Sequence, residues 1–87
     1  MRVLLVEDDP AVASGVRDGL TINGYTVDHV SNGTAALAAV ASEPVPDIVL
    51  LDLGLPDVDG QDVCRSIRSD SKIPIIVISA RGDEVDK

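Results

Sequence analysis

The chain has 87 residues, of which 15 are acidic and 7 are lysine or arginine, so its net charge is −8 at pH 7. This length allows at most one domain, because typical domains contain roughly 100–150 residues. The excess of negative charge repels phosphate groups, which argues against direct contact with nucleic acid and against binding to anionic membranes. Disorder is not expected, since 45% of the residues are hydrophobic.

The apolar runs are too short for a membrane-spanning helix, which needs roughly 20 apolar residues. The first residues also lack the cleavage pattern of a signal peptide. The single cysteine, Cys64, cannot form an internal disulfide and fits a reducing compartment. We therefore expect a cytoplasmic protein that makes no contact with a membrane.

Short aliphatic runs alternate with stretches of helical periodicity along the chain. Strands are predicted at 2–6, 25–30, 47–51 and 74–78, and helices at 10–22, 34–41 and 61–69. Asp9 followed by Pro10 is typical of a helix start, and Asn23-Gly24 is typical of a helix end. This alternation predicts an α/β fold, an open parallel sheet with helices on both faces.

The strands differ in their side-chain patterns. The segment 25–30 alternates in part and contains β-branched residues, which is typical of an edge strand. The segments 47–51 and 74–78 are aliphatic without polar alternation, which predicts central strands buried on both faces.

Acidic and hydroxyl side chains stand where strands are predicted to end, and such sheets bind ligands beyond these carboxyl ends. Glu7 and Asp8 follow the first strand, Asp52 ends the third and Ser79 ends the fourth. If the first and third strands are neighbours, three carboxylates converge and repel one another unless a cation lies between them. Because all these ligands are oxygens, the pattern favours Mg²⁺ or Mn²⁺ over zinc or copper.

Four segments together resemble the receiver domain of bacterial two-component response regulators, and they match it in order and spacing over the whole chain. They are Val6-Glu7-Asp8-Asp9, Leu50-Leu51-Asp52-Leu53-Gly54-Leu55-Pro56, Asp59-Gly60 and Ile78-Ser79-Ala80-Arg81. The run 75–87 is most similar to the subfamily whose receivers precede a winged-helix DNA-binding domain. The resemblance implies a flavodoxin-like receiver fold with the strand order 2-1-3-4.

The resemblance also implies a role for each residue of the acidic site. Asp52 would accept a phosphoryl group from the phosphohistidine of a sensor histidine kinase, in a Mg²⁺-dependent reaction. Asp8 and Asp52 would bind the metal directly, the backbone carbonyl of Gly54 would be a further ligand, and Glu7 would act through a bound water. The chain would then be a phosphoacceptor regulator of transcription and not an enzyme.

Two residues after the fourth strand complete the implied site. Ser79 would hydrogen-bond the transferred phosphoryl group, and the small side chain of Ala80 would leave room for it. The chain departs from the family pattern by ending at Lys87, before the fifth strand with its lysine, the switch aromatic residue and the last helices. We therefore expect residues 1–87 to be the N-terminal part of a receiver domain whose DNA-binding effector domain is absent.

Two other functions are compatible with parts of the pattern. A receiver-like module that docks partners without being phosphorylated is disfavoured by the presence of Glu7, Asp8, Asp52 and Ser79. A phosphatase with an aspartate nucleophile, similar to the haloacid-dehalogenase family, would carry a second aspartate where Gly54 stands.

The fourth strand also bears on assembly. Without a fifth strand, the segment 75–78 would present an aliphatic, uncharged edge that templates pairing with another chain. The sequence therefore predicts a homodimer.

Overall fold

A computed structural model describes residues 1–52, 55 and 57–78, which form a parallel sheet with flanking helices. In chain order the elements are β1 (Arg2–Val6), α1 (Pro10–Ile22), β2 (Thr26–Val30), α2 (Gly33–Val40), β3 (Ile48–Leu51), α3 (Gly60–Asp70) and β4 (Ile75–Val77). The strand order is β2-β1-β3-β4, and every neighbouring pair is parallel. The predicted α/β fold with the order 2-1-3-4 is confirmed.

Each helix begins at a short polar side chain that accepts hydrogen bonds from the first free backbone N–H groups. Asp9 accepts from the backbone nitrogen of Ala11 at 2.9 Å and so caps α1. Asn32 caps α2 and Asp59 caps α3 in the same way. α1 is followed by Gly24, whose φ of 90° lies in the left-handed region that glycine adopts without strain.

The two faces of the sheet are covered by different helices. α2 and α3 pack over one face, where the buried cluster consists of Leu4, Val6, Ala36, Val49, Leu51, Val63 and Ile67. α1 lies on the opposite face, where its Leu20 lines a cleft together with Val3 and Leu50. Helices on both faces were predicted from the sequence, and the structure agrees.

The burial of β3 and β4 differs from the prediction that both strands are buried on both faces. In β3, Val49 and Leu51 are fully buried, but Ile48 and Leu50 are only half-buried. In β4, Ile76 and Val77 are 49% and 47% exposed. Complete burial on both faces is therefore not observed for either strand. Among the described residues β4 lies at an edge of the sheet with β3 as its neighbour, which agrees with the aliphatic edge expected for 75–78.

The pairing of β1 with β3 sets the geometry of the sheet's carboxyl edge. Val6 lies opposite Leu51, so the residues that follow, Glu7 and Asp52, leave the sheet side by side. The backbone nitrogen of Asp52 donates to the carbonyl oxygen of Val6 at 2.9 Å and extends this pairing by one residue. None of the helices in the described part of the chain has the length and apolar character needed to cross a bilayer.

Candidate functional site

Three carboxylates meet where β1 and β3 end. One oxygen from each of Glu7, Asp8 and Asp52 lies within 4.8 Å of the others. Asp52 is fully buried and Glu7 is 4% exposed, whereas Asp8 is half-buried. The site is therefore a small acidic depression with Asp52 on its inner side.

Backbone and side-chain contacts hold Glu7 in place. Its backbone nitrogen donates to the carbonyl oxygen of Val30 at 3.1 Å, which ties it to β2. Its Oε2 accepts a hydrogen bond of 3.1 Å from the backbone nitrogen of Asp9. The ring nitrogen Nε2 of His29 lies 2.8 Å from the carbonyl oxygen of Glu7 and donates to it. The Glu7 carboxyl group thus has a fixed position between β2 and the start of α1.

The crowding of negative charge changes the protonation of Glu7. Burial raises the pKa of this carboxyl group to about 7, and a hydrogen bond to Asp52 and the charges of Asp52 and Asp8 act in the same direction. A carboxyl group at this pKa is close to half-protonated at neutral pH. A divalent cation among these oxygens would take over the neutralising role of that proton.

The donor set fits a hard cation. Glu7, Asp8 and Asp52 each offer a carboxylate oxygen, which is the ligand type that Mg²⁺ and Mn²⁺ prefer. Mg²⁺ commonly uses one or two carboxylates and keeps several waters, and Asp8 is the least buried of the three residues. The residues present therefore suit Mg²⁺.

The structure brings together three of the residues that the sequence singled out. Glu7, Asp8 and Asp52 converge as expected from neighbouring first and third strands. The predicted roles of Gly54, Ser79 and Ala80 concern positions outside the described residues, so these roles stay predictions.

Two contacts were not expected from the sequence. The first is the hydrogen bond of His29 to the carbonyl oxygen of Glu7, since His29 was not assigned to the site. The second is made by Asp57, whose carboxylate accepts hydrogen bonds from Gly33 and Thr34 at the start of α2. A short acidic side chain in a turn-rich segment is a weak signal for helix capping. This signal does not identify the partner helix, which lies far away in the sequence.

The family follows from comparison with known proteins. A family model described as the response regulator receiver domain matches residues 3–87. The chain belongs to the response regulator receiver family. This confirms the resemblance found in the sequence.

Curated relatives agree with the transcription-factor subfamily. The chain is 47% identical over 85 residues to the transcriptional regulatory protein KdpE of Mycobacterium tuberculosis and covers 37% of its length. It is 45% identical over 85 residues to the DNA-binding response regulator MtrA of Mycolicibacterium smegmatis and again covers 37% of that protein. Each alignment includes 98% of this chain, so the chain spans little more than a third of these relatives.

Solved structures share the fold. The response regulator TrrA of Thermotoga maritima, determined in complex with Mg²⁺-BeF, has a TM-score of 0.87 and 31% identity, over 99% of this chain and 75% of that one. The Mn²⁺-bound form of response regulator Rcp1 has a TM-score of 0.82 and 33% identity, over 91% of this chain and 65% of that one. Both similar proteins were thus studied with a divalent cation of the type that suits this acidic depression.

Proposed function

We propose that this receiver domain is a phosphoacceptor in two-component signalling and that Asp52 receives the phosphoryl group from a sensor histidine kinase. The observation that carries the proposal is the meeting of Glu7, Asp8 and the fully buried Asp52 within 4.8 Å at the carboxyl edge of the sheet. Three carboxylates this close repel one another unless a positive charge neutralises part of their combined charge.

The chemistry at Asp52 is a transfer between two nucleophiles. A carboxylate oxygen of Asp52 forms a bond to phosphorus while the bond from phosphorus to the kinase histidine breaks, and the product is an acyl phosphate. Phosphoryl transfer depends on positioning and charge neutralisation more than on covalent machinery. The protein contributes a fixed nucleophile, because the Asp52 backbone is held by β1 and its side chain is fully buried.

A divalent cation would be held by the acidic residues. We assign Asp8, Asp52 and the backbone carbonyl of Gly54 as direct ligands of Mg²⁺, with Mn²⁺ as a substitute, and Glu7 as a residue that acts through bound water. When bound, Mg²⁺ supplies charge neutralisation to the phosphoryl oxygens. Ser79 and Ala80 complete the proposed site, as a hydrogen-bond donor to the phosphoryl group and as a small residue that leaves space for it.

The output of the whole protein is proposed from its relatives. KdpE is named a transcriptional regulatory protein and MtrA a DNA-binding response regulator, which supports control of transcription. With a net charge of −8, these 87 residues are poorly suited to contact DNA directly, so DNA binding is assigned to a segment outside this sequence. A cytoplasmic location and the absence of membrane contact stay predictions.

The proposal is tested by phosphorylation in solution. Incubation with a small phosphodonor and Mg²⁺ should add the mass of one phosphoryl group, and Asp52→Asn should abolish this addition. Asp18→Asn is a matched control, because Asp18 is an exposed residue of α1 that loses the same charge. A phosphoryl group that survives in Asp52→Asn would assign the chemistry elsewhere, and no phosphorylation of the unaltered chain would favour a docking module.

A further inference from the structure

Asp57 joins two parts of the molecule that are distant in sequence. Its Oδ1 accepts a hydrogen bond of 2.8 Å from the backbone nitrogen of Gly33. Its Oδ2 accepts from the backbone nitrogen of Thr34 at 3.0 Å and from the Thr34 hydroxyl at 2.8 Å. Both carboxylate oxygens are therefore engaged by the first turn of α2.

Close packing reinforces this joint. A Cβ atom added at Gly33 would lie 2.1 Å from Cγ2 of Val58 and 2.8 Å from Cγ2 of Val63. Val63 is fully buried and valine side chains are stiff, so these methyl groups cannot easily move aside. Glycine at position 33 thus permits the chain at 57–58 to approach the start of α2 directly.

Initiation of α2 does not require Asp57. Asn32 already caps this helix, because its Oδ1 accepts a hydrogen bond of 2.8 Å from the backbone nitrogen of Ala35. Asp57 accepts its three hydrogen bonds from other groups of this first turn. In sequence, Asp57 lies 24 residues from Gly33 and 23 residues from Thr34. The contact therefore fixes the position of the segment that carries Asp57 as much as it stabilises the helix.

That segment is the one that follows Asp52. Asp52 is buried at its beginning, and Asp57 is bonded to α2 at its end. Both described residues are therefore held in place before any ligand binds, which lowers the entropy cost of ordering them on binding. Gly54, whose backbone carbonyl is a predicted ligand of Mg²⁺, stands between Asp52 and Asp57 in the sequence, so the hold on Asp57 bears on metal affinity.

We propose that Asp57 is a positioning residue of the phosphoacceptor site, which ties the chain at 57–58 to the start of α2 and so prepares the site for Mg²⁺. This inference rests on the proposed function, because it assumes a metal among Glu7, Asp8 and Asp52. The carboxylate suits a permanent link. Its hydrogen bonds to Gly33 and Thr34 lower the pKa of Asp57 to about 2, so it stays ionised at any physiological pH.

The contact and the metal site are coupled in both directions. If the link tightens Mg²⁺ binding by some factor, then Mg²⁺ must strengthen the link by the same factor. Saturating Mg²⁺ should therefore slow hydrogen exchange at the backbone amides of Gly33 and Thr34, which donate to Asp57. Loss of the Asp57 carboxylate should remove this response.

The experiment measures Mg²⁺ affinity by NMR titration in four variants. Asp57→Ala should weaken binding about tenfold, as is typical for residues that orient metal ligands. Asp57→Asn keeps one oxygen acceptor and should weaken binding less than Asp57→Ala, and it retains the fold if the alanine variant does not. Asn32→Ala and Asp59→Asn should bind Mg²⁺ within about twofold of the unaltered chain.

The two controls separate positioning from stability and charge. Asn32→Ala removes the N-cap of α2 but keeps the Asp57 link. Asp59→Asn removes the same charge from the same segment, and asparagine is an equally good N-cap for α3. If Asp57→Asn and Asp57→Ala bind Mg²⁺ no more weakly than the controls, the positioning role is wrong while the proposed function stands. If the unaltered chain does not bind Mg²⁺, both proposals fail.

Discussion

The Glu7 carboxyl group connects the protonation of the site to its binding of a cation. Burial and the neighbouring Asp52 raise the pKa of Glu7 to about 7. Below this pH a proton reduces the charge repulsion among Glu7, Asp8 and Asp52. Above it the full negative charge is present and can be neutralised only by a cation. Proton and metal therefore compete for the same small depression.

This competition predicts that Mg²⁺ affinity depends on pH. Between about pH 5 and pH 7 the affinity should rise by up to roughly tenfold per pH unit, because one proton must leave Glu7. Above the Glu7 pKa the affinity should reach a plateau. Calorimetric titration with Mg²⁺ at a series of pH values measures this directly.

Glu7→Gln is the informative variant for this titration. Glutamine does not ionise, so the rise between about pH 5 and pH 7 should become shallower even though overall affinity falls. Asp18→Asn, which changes an exposed residue of α1, should keep the pH dependence of the unaltered chain. An equal slope in Glu7→Gln and the unaltered chain would show that another group controls the competition.

At the scale of the secondary-structure elements, side-chain caps fix where the helices begin. Asp9 accepts hydrogen bonds from the backbone nitrogens of Ala11 at 2.9 Å and Val12 at 3.4 Å. The Asp9 backbone nitrogen in turn donates to Glu7. The start of α1 and the acidic depression are thus built from consecutive residues, and the cap helps to fix the chain as it leaves the site.

Removal of the α1 cap should lower stability without changing the chemistry of Asp52. Asp9→Ala should reduce the free energy of unfolding by about 1 kcal/mol, because two backbone N–H groups lose their acceptor. Urea unfolding followed by circular dichroism measures this change. Asp18→Ala removes an equal charge from the middle of the exposed surface of α1 and should be neutral within about 0.5 kcal/mol. Equal losses in both variants would contradict the capping role.

Elements with local signals were predictable from the sequence. β1 has the predicted bounds 2–6, because an apolar run followed at once by acidic residues marks both of its ends. Asp9 and Pro10 identified the start of α1 for a similarly local reason. The predicted start of α2 at residue 34 is one residue late, because Asn32 caps the helix and Gly33 is its first residue.

Features that depend on distant partners were harder to predict. The exposure of β4 depends on which neighbours the strand has, and its aliphatic composition alone predicted burial, so the edge was expected only from the family resemblance. The convergence of Glu7 and Asp8 with Asp52 was predicted only on the condition that β1 and β3 are neighbours, which the family resemblance supplied. The Asp57 contact was missed because its partner helix is more than 20 residues away.

At the scale of the whole molecule, the described part of the chain exposes apolar surface at one edge of the sheet. β4 pairs with β3 on one side, and Ile76 and Val77 are about half exposed. Ile76 also borders the apolar cleft that Leu20 and Leu50 line on the α1 face. An exposed aliphatic edge of this kind favours pairing with a second chain, while the net charge of −8 opposes unlimited aggregation.

The homodimer stays a prediction, and its test is the mass in solution. Light scattering coupled to size exclusion over a concentration series should show a transition from monomer to dimer. Ile76→Lys should weaken the dimer at least about tenfold, because it places a charge at the aliphatic edge. Ile22→Lys is the matched control, since Ile22 is 83% exposed at the end of α1. A monomer at every concentration, or equal effects of both substitutions, would contradict pairing through β4.

The central claim is that Asp52 carries a Mg²⁺-dependent acyl phosphate. The most direct measurement treats the chain with a small phosphodonor, traps any acyl phosphate by borohydride reduction and locates the reduced residue by peptide mass spectrometry. We predict one reduced residue, Asp52, which appears with Mg²⁺ and disappears when the metal is chelated. Reduction at another residue, or equal reduction of Asp52 with and without Mg²⁺, would contradict the account.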